Sequence, residues 1–169
     1  MKQIALLFAI SLVFASSAFG QKAAGAKADP SKGVRAAFDK LVDGIKQVDV
    51  DKVMNAYDKS PRLLIYNNNG TATQGWDEVK RVNEQIYAKL SNVTLDITGL
   101  RIEMLGANNA VLTCKWKQSQ ENNGKVENAS GRMTLVFKLA GKEWKIIHRH
   151  TSPDNPGSDR PVFPSERQQ

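Results

Sequence analysis

Residues 144–152 read WKIIHRHTS and contain both histidines of this 169-residue chain. In a β-strand, side chains two residues apart lie on the same face. The segment therefore predicts a closing strand with two rows of side chains. One row holds Trp144, Ile146, His148 and His150, and the other holds Lys145, Ile147, Arg149 and Thr151. Only one row can face the interior of the fold, and the spacing leaves open which of the two it is.

The chain before this segment changes from helical to strand periodicity. Three segments have apolar residues at helical spacing, and these predicted helices cover 31–48, 49–57 and 75–90. Apolar runs or alternation predict strands over 63–66, 93–105, 110–117 and 132–139. Glu-Asn-Asn-Gly at 121–124 is typical of a β-hairpin turn. Helices on one side of successive hairpins indicate an α+β fold with an antiparallel sheet.

The ends of the chain differ from this folded unit, which we place at residues 31–152. Residues 1–20 have an early lysine, an apolar run and small residues before Gln21, the pattern of a cleaved secretory signal peptide. We expect a flexible lead-in over 21–30 and a proline-rich irregular tail over 153–169. The protein is therefore expected to be exported, either periplasmic or secreted. The apolar run is shorter than the roughly 20 residues that span a bilayer, so no stable membrane insertion is expected.

The composition argues against some classes of partner. Lys and Arg number 24 and Asp and Glu number 17, which gives a net charge of +7. These basic residues are not clustered with interleaved aromatic residues, so no nucleic-acid-binding face is predicted. Cys114 is the single cysteine, which excludes an internal disulfide. Its place in an alternating strand predicts a small core residue.

The order of these elements, together with GKEWKIIHRHTS at 141–152, resembles the nuclear transport factor 2-like (NTF2-like) superfamily. The closing segment is similar to the SnoaL-like and DUF4440-type branch, and to the association domain of calcium/calmodulin-dependent kinase II. The resemblance covers about residues 34–152. It implies a cone-shaped α+β fold in which a curved antiparallel sheet wraps around N-terminal helices. It also implies a pocket at the wide end of the cone and a homodimer formed through the sheet.

The resemblance implies one of two functions. The first is binding of a small apolar or carboxylated molecule in the cone, with cofactor-independent proton transfer of the isomerase or cyclase type as the candidate activity. The alternative is a non-catalytic oligomerisation or interaction module like the kinase association domain. No cofactor is expected for either. In that association domain an Arg occupies the position matching Thr151, so its absence here leaves open whether the pocket binds an anion.

The two rows of the closing strand predict different chemistry. An inward His148 or His150 supplies a general acid or base with a pKa near neutrality. An inward Arg149 supplies a fixed cation for a carboxylate or phosphate. A third interpretation is that both histidines are structural. A catalytic metal usually needs three protein ligands, and two histidines do not complete such a site, so no metal is predicted.

The other candidate residues are distributed along the chain. Asp58 matches by position the acidic base of ketosteroid isomerase, and a carboxylate in an apolar pocket has a raised pKa. Tyr57 and Tyr66 are the candidate hydrogen-bond donors. The remaining predicted ligand-binding residues are Trp76, Trp116 and Arg132, in addition to Arg149. For Asp58 the alternative is a turn residue, for the aromatic side chains it is core packing, and for Arg132 it is surface exposure.

Overall fold

The computed structural model describes residues 29–154, which form three helices and six strands. The helices are α1 (Pro30–Lys46), α2 (Val50–Asn55) and α3 (Trp76–Tyr87). The strands are β1 (Leu64–Tyr66), β2 (Ala72–Gln74), β3 (Leu90–Met104), β4 (Asn109–Asn122), β5 (Lys125–Ala140) and β6 (Glu143–Pro153). The predicted signal peptide, most of the lead-in and the tail beyond Asp154 lie outside the described residues. Over residues 29–154, no helix is both long and apolar enough to cross a membrane.

The start of α1 follows from Asp29 and Pro30. The Asp29 carboxylate accepts a hydrogen bond from the backbone N–H of Ser31 at 2.9 Å. Pro30 occupies the first turn, where no N–H is needed, so the helix begins where the sequence predicts. One stripe of the helix is buried, and it consists of Val34, Phe38, Leu41 and Gly44. That stripe confirms the predicted helical periodicity.

The six strands form one sheet in the order β2–β1–β6–β5–β4–β3. The four long strands follow one another as antiparallel hairpins, as predicted. The two-residue turn between β4 and β5 consists of Asn123 (φ 49°) and Gly124 (φ 78°), whose positive φ angles match a type I′ hairpin. The sheet is curved and unclosed, and with the N-terminal helices it forms the predicted cone-shaped α+β fold.

Two features of the sheet were not predicted. β1 runs parallel to β6, with Ile65 beside Arg149, whereas we expected antiparallel neighbours throughout. β2 is an additional three-residue strand that pairs with β1. Its residues are polar or small and show no apolar alternation, so the sequence around Thr73 carries no strand signal. A parallel pair joins residues far apart in sequence, and local periodicity does not report such contacts.

β6 contains a β-bulge at Ile147. Phe137 of β5 pairs with Ile146. The adjacent β5 residue, Val136, pairs with His148, because the strands are antiparallel. Ile147 therefore has no partner of its own. Phe137 and Ile146 are fully buried. We call the sheet face that carries these two side chains the inner face, and the opposite face, which carries Val136 and His148, the outer face.

The regular two-row strand predicted for residues 144–152 is therefore wrong. A bulge inserts one extra residue and shifts the alternation of side chains by one position. Before the bulge, Ile146 faces inward, and after it Arg149 and Thr151 do, opposite the buried Leu135 and Met133. His148 and His150 lie on the outer face. The Arg149 guanidinium points into the fold, and the two imidazoles of the segment point away from it.

The core lies between the inner face and the helices. Its largest fully buried side chains are Phe38, Leu41, Met54, Tyr57, Leu63, Ile65, Leu112, Leu135, Phe137 and Ile146. Each such aliphatic or aromatic side chain contributes about 1.5–3 kcal/mol by leaving water. Cys114 belongs to this core, as predicted, and burial raises the pKa of its thiol to about 11. The thiol is therefore protonated and unreactive at neutral pH.

Candidate functional site

A cavity of about 310 Å³ opens between the inner face, α1 and α3. One part of its wall is apolar and consists of Ile45, Ile86, Leu90, Leu95, Trp116 and Met133. The other part is polar and consists of Asn67, Asn68, Asn83, Tyr87, Gln118, Gln120, Arg149 and Thr151. An apolar wall with a few convergent polar groups is the usual form of a small-molecule site.

Arg149 is the cation of this cavity. Its Nη1 donates a hydrogen bond to the Tyr57 hydroxyl at 3.0 Å, and its Nη2 donates to Asn67 Oδ1 at 3.2 Å. Its Nε is buried and has no hydrogen-bond partner among the described residues. No ion pair joins Arg149 to a carboxylate within residues 29–154. A partly buried charge without a counter-ion is costly, so the cavity is suited to an anion.

Asn67, in the turn between β1 and β2, holds the Arg149 guanidinium in place. Its Nδ2 donates to the hydroxyls of Thr71 and Thr73, each at 3.1 Å. These two contacts direct the amide nitrogen away from Arg149 and leave Oδ1 to accept from it. The short β2 strand, which supplies Thr73, thereby orients the cation of the cavity.

Two tyrosines lie beside Arg149. Tyr57, directly after α2, is 2% exposed, and its hydroxyl accepts the Arg149 hydrogen bond. Burial raises the pKa of Tyr87, on α3, to about 12, and Tyr57 adds to this rise while Arg149 opposes it. Tyr87 therefore remains a protonated hydrogen-bond donor in the cavity at physiological pH.

We expect Tyr87 to make the fold less stable at high pH. In the unfolded chain its phenol ionises near the ordinary pKa of 10.0, but in the folded protein only near pH 12. Below pH 10 the Tyr87 phenol is protonated in both the folded and the unfolded state, so its contribution to the free energy of unfolding is constant. Between about pH 10 and 12 the phenol is deprotonated in the unfolded state alone, which stabilises that state and lowers the free energy of unfolding. Two pKa units correspond to roughly 3 kcal/mol. Urea unfolding of native protein and Tyr87→Phe across this window measures the difference, and equal losses in both would contradict the assignment.

The described lining offers no general base. Among the cavity residues within 29–154, none is Asp, Glu, His or Cys. The titratable groups there are the Arg149 guanidinium, which has no acceptor atom, and the Tyr87 phenol, whose raised pKa keeps it protonated at neutral pH. The described part of the cavity can therefore hold an anion and donate hydrogen bonds, but it has no side chain poised to abstract a proton.

His148, His150 and Tyr66 lie together on the outer face, outside this cavity. The Tyr66 ring centroid is 5.6 Å from that of His148 and 5.8 Å from that of His150, with both imidazoles nearly perpendicular to the phenol. Thr134 and Val136 are their β5 neighbours. The catalytic role predicted for the two histidines stays a prediction. Their side chains lie on the sheet face opposite to that of Arg149. In the described part of the chain, no cluster of three metal-binding side chains is present.

Three other predicted residues also lie outside the cavity lining. Asp58 is in the loop after α2, where its backbone N–H donates to the Ile146 carbonyl at 2.9 Å. Trp76 begins α3, and its Nε1 donates to the Met54 carbonyl at 3.2 Å. Arg132 is exposed on the outer face and donates to the Pro153 carbonyl. Of the predicted set, Trp116 and Arg149 line the cavity, and Tyr57 holds Arg149 by a hydrogen bond without lining the cavity itself.

Most polar residues of the cavity were missed from the sequence. Asn67 begins the stretch Asn-Asn-Asn-Gly at 67–70, whose composition predicts a turn and gives no signal of a binding role. Gln118 and Gln120 continue the inward row of β4 beyond Trp116. Polar residues that continue the inward row of a strand indicate a pocket wall. If that row stayed in the core, its residues would remain apolar.

The curved sheet with its inner-face cavity defines the NTF2-like class of folds. The sequence profile of the SnoaL-like domain matches residues 34–156, so the chain belongs to the SnoaL-like domain family. That confirms the SnoaL-like resemblance seen in the sequence. Among curated proteins, no sequence matches the chain.

Solved structures show the same fold. An NTF2-like superfamily protein from Salmonella enterica is 20% identical and covers 78% of this chain and 96% of its own, with a TM-score of 0.68. A ketosteroid isomerase-like protein from Erwinia carotovora is 16% identical, with coverages of 77% and 100% and a TM-score of 0.65. A candidate calcium/calmodulin-dependent protein kinase II association domain from Xanthomonas campestris is 19% identical, with coverages of 79% and 93% and a TM-score of 0.65. These similarities establish the architecture.

Proposed function

We propose that this SnoaL-like domain binds a small carboxylated molecule in the inner-face cavity, with Arg149 as its anchor. The observation that carries the proposal is the Arg149 guanidinium, whose Nε is buried without a partner among the described residues and which has no counter-ion there. The apolar wall around Trp116 and Leu90 suits an apolar body attached to the acid.

The guanidinium is suited to a carboxylate in geometry as well as charge. Its planar fork can donate two parallel hydrogen bonds to the two oxygens of one carboxylate. Tyr57 and Asn67 accept from one N–H on each terminal nitrogen, so these contacts use two of the five guanidinium donors. A hydrogen bond to a charged group contributes about 1.5–3 kcal/mol, so two of them support binding of a small acid with a dissociation constant of roughly millimolar to tens of micromolar.

Binding is better supported than proton transfer. Isomerase-like neighbours share the fold, and the sequence suggested His148 or Asp58 as a base. Neither residue lies in the described lining of the cavity, and no other carboxylate or imidazole does. We therefore infer a binding role, in which Tyr87 and the side-chain amides add hydrogen bonds to the charge interaction with Arg149.

A comparison of small acids with their neutral amides tests the proposal. Titration of a series such as 3-phenylpropanoate and 3-phenylpropanamide near pH 7 is followed by tryptophan fluorescence, to which Trp116 in the cavity wall contributes, or by NMR. The acid is expected to bind at least about tenfold more tightly, because only the carboxylate pairs with the cation. Equal affinities for acid and amide, or no response to any acid of the series, would overturn the proposal.

Self-association through the outer face is a second proposal. Tyr66 is 43% exposed there, beside His148 and His150, and aromatic residues at an exposed face are frequent at subunit contacts. Sedimentation velocity at increasing concentration distinguishes a dimer from a monomer. A Tyr66→Ser variant that sediments as the native protein does would argue against this face as the contact.

Export is proposed from the sequence of residues 1–20 alone. We expect the mature chain to begin at Gln21 and to be found outside the cytoplasm. Fractionation of cells expressing the full chain, with N-terminal sequencing of the product, tests this. A cytoplasmic product that retains residues 1–20 would contradict it.

A further inference from the structure

The two imidazoles of β6 lie side by side on the outer face of the sheet. His148 and His150 follow the bulge at Ile147, so they are two residues apart in a regular part of the strand and share one face. Both rings lie edge-on to the ring of Tyr66, at centroid distances of 5.6 and 5.8 Å. His148 is partly exposed and His150 is exposed, so solvent reaches the pair.

The fold does not use the ring nitrogens of these histidines. Within residues 29–154, neither imidazole has a hydrogen-bond or ion-pair partner, and the contact of each ring is with Tyr66. A histidine that holds a fold together normally hydrogen-bonds to a neighbour, and these two do not. In its neutral form each imidazole therefore offers one nitrogen lone pair to a ligand.

The surroundings of the pair suit a cation. Four side chains flank the two histidines across the neighbouring strands, and all four are uncharged: Leu64 and Tyr66 on β1, and Thr134 and Val136 on β5. None of these direct partners is a lysine or an arginine, so the adjacent positions do not repel a positive ion. A depression of about 370 Å³ opens beside the two imidazoles, and its lining includes Asn67, Gly70 and Ser152. It has room for an ion that keeps part of its water shell.

We propose that His148 and His150 together chelate a Cu²⁺ ion on the outer face. Imidazole nitrogen is a ligand for copper, nickel and zinc, and of these divalent ions Cu²⁺ binds such sites most tightly. A closed structural Zn²⁺ site takes four protein ligands, and the pair does not supply them. Cu²⁺ forms tetragonal complexes, in which two imidazole nitrogens take adjacent positions and water takes the others. This site lies on the face opposite Arg149, so it does not rest on the proposed carboxylate site.

The spacing of the two histidines is compatible with one shared ion. Two residues of strand separate their Cα atoms by roughly 6.6 Å. Metal–nitrogen bonds of roughly 2.0–2.1 Å place two nitrogens on one ion about 3–4 Å apart. The rings therefore lean toward each other when the ion binds. The exposure of His150 and the open depression beside both rings leave space for this rotation.

Copper titration of the chain, purified without a histidine tag, tests the proposal. The sequence contains two histidines, so the NMR signals of their imidazoles are readily assigned. We expect one Cu²⁺ per chain, with paramagnetic broadening of both imidazole signals at the same substoichiometric amount of Cu²⁺. Broadening of one imidazole signal alone would overturn the chelate. A stoichiometry of one ion per two chains would also overturn it, because the ion would then bridge two copies.

Single variants measure the contribution of each ring by isothermal titration with Cu²⁺. His148→Ala and His150→Ala should each weaken binding at least about tenfold, because a lone imidazole loses the effective concentration that the second one supplies. The matched control Thr134→Val changes the β5 partner of His150 and leaves both imidazoles in place. It should keep the native affinity within about twofold, since imidazole nitrogen is the ligand that copper prefers here.

The double variant separates the chelate from copper bound elsewhere on the chain. Both histidines lie outside the hydrophobic core, so the variants should fold, and urea unfolding checks this. Glutamine replaces alanine at any position where the alanine variant is unfolded. If folded His148→Ala/His150→Ala bound Cu²⁺ as tightly as the native chain, the ion would be held by other groups and the proposal would be wrong.

Discussion

Arg149→Met is expected to weaken binding of a small carboxylate at least about thirtyfold. Loss of one member of a buried, hydrogen-bonded charge pair costs about 2–5 kcal/mol. Arg149 is the cation in the described lining, and no neighbouring carboxylate there competes for it. Arg149→Lys keeps the charge and loses the planar fork, so it should fall between the native protein and Arg149→Met. Isothermal titration with the acids that bind native protein measures all three.

Arg132→Met is the matched control for this prediction. Arg132 lies on the neighbouring strand β5 but on the outer face, and it is exposed. Its loss should change acid binding by less than about twofold, since an exposed charge on the far side of the sheet is screened by solvent. Urea unfolding shows whether Arg149→Met is folded. If folded Arg149→Met and Arg132→Met bound the same acid with equal affinity, the assignment of Arg149 as the anchor would be wrong.

Ile146→Ala should destabilise the fold by about 3–4 kcal/mol, whereas Ile147→Ala should cost at most about 1 kcal/mol. The two substitutions remove the same atoms from adjacent positions. Ile146 is fully buried against Phe137, and its truncation leaves a cavity in the core. Ile147 is the unpaired bulge residue and is partly exposed, so its truncation opens no enclosed space. The free energy of unfolding in urea measures both.

This pair also tests the register of β6. In a regular strand Ile147 and Arg149 share a face, so an inward Arg149 would require an inward Ile147. The bulge instead places Ile146 and Arg149 on the same side. A larger loss for Ile147→Ala than for Ile146→Ala would refute the bulge. The predicted order, together with loss of acid binding in Arg149→Met, is incompatible with any regular strand through this segment.

The sequence predicted the elements of the fold well where the cause is local. The start of α1 at Pro30, one residue before the predicted 31, and the Asn123–Gly124 hairpin depend on neighbouring residues, and the sequence predicted both. The bulge at Ile147 depends on how β6 aligns with β5, which no spacing within β6 reports. The parallel pairing of β1 with β6 likewise joins residues such as Ile65 and Arg149, which are distant in sequence.

The site was predicted less completely than the fold. Arg149 was one of two open alternatives, and Tyr57 and Trp116 were among several aromatic candidates. Asn67 reaches Arg149 only because β1 lies beside β6, and Gln118 becomes part of the wall only because the sheet curves over α3. A pocket assembled from distant segments is a property of tertiary contacts, so its polar residues are not adjacent in the sequence.

The bulge at Ile147 means that strand pairing, and not residue type, decides what this segment presents to the cavity. If Ile147 paired with Val136 in a regular ladder, every residue that follows would change sides, and an imidazole would replace the guanidinium with the sequence of the segment unchanged. Among relatives with the same closing motif, the presence or absence of this one bulge can therefore convert an anion receptor into an acid–base centre. Comparisons of such proteins should establish the strand pairing of this segment before they compare sequence identity.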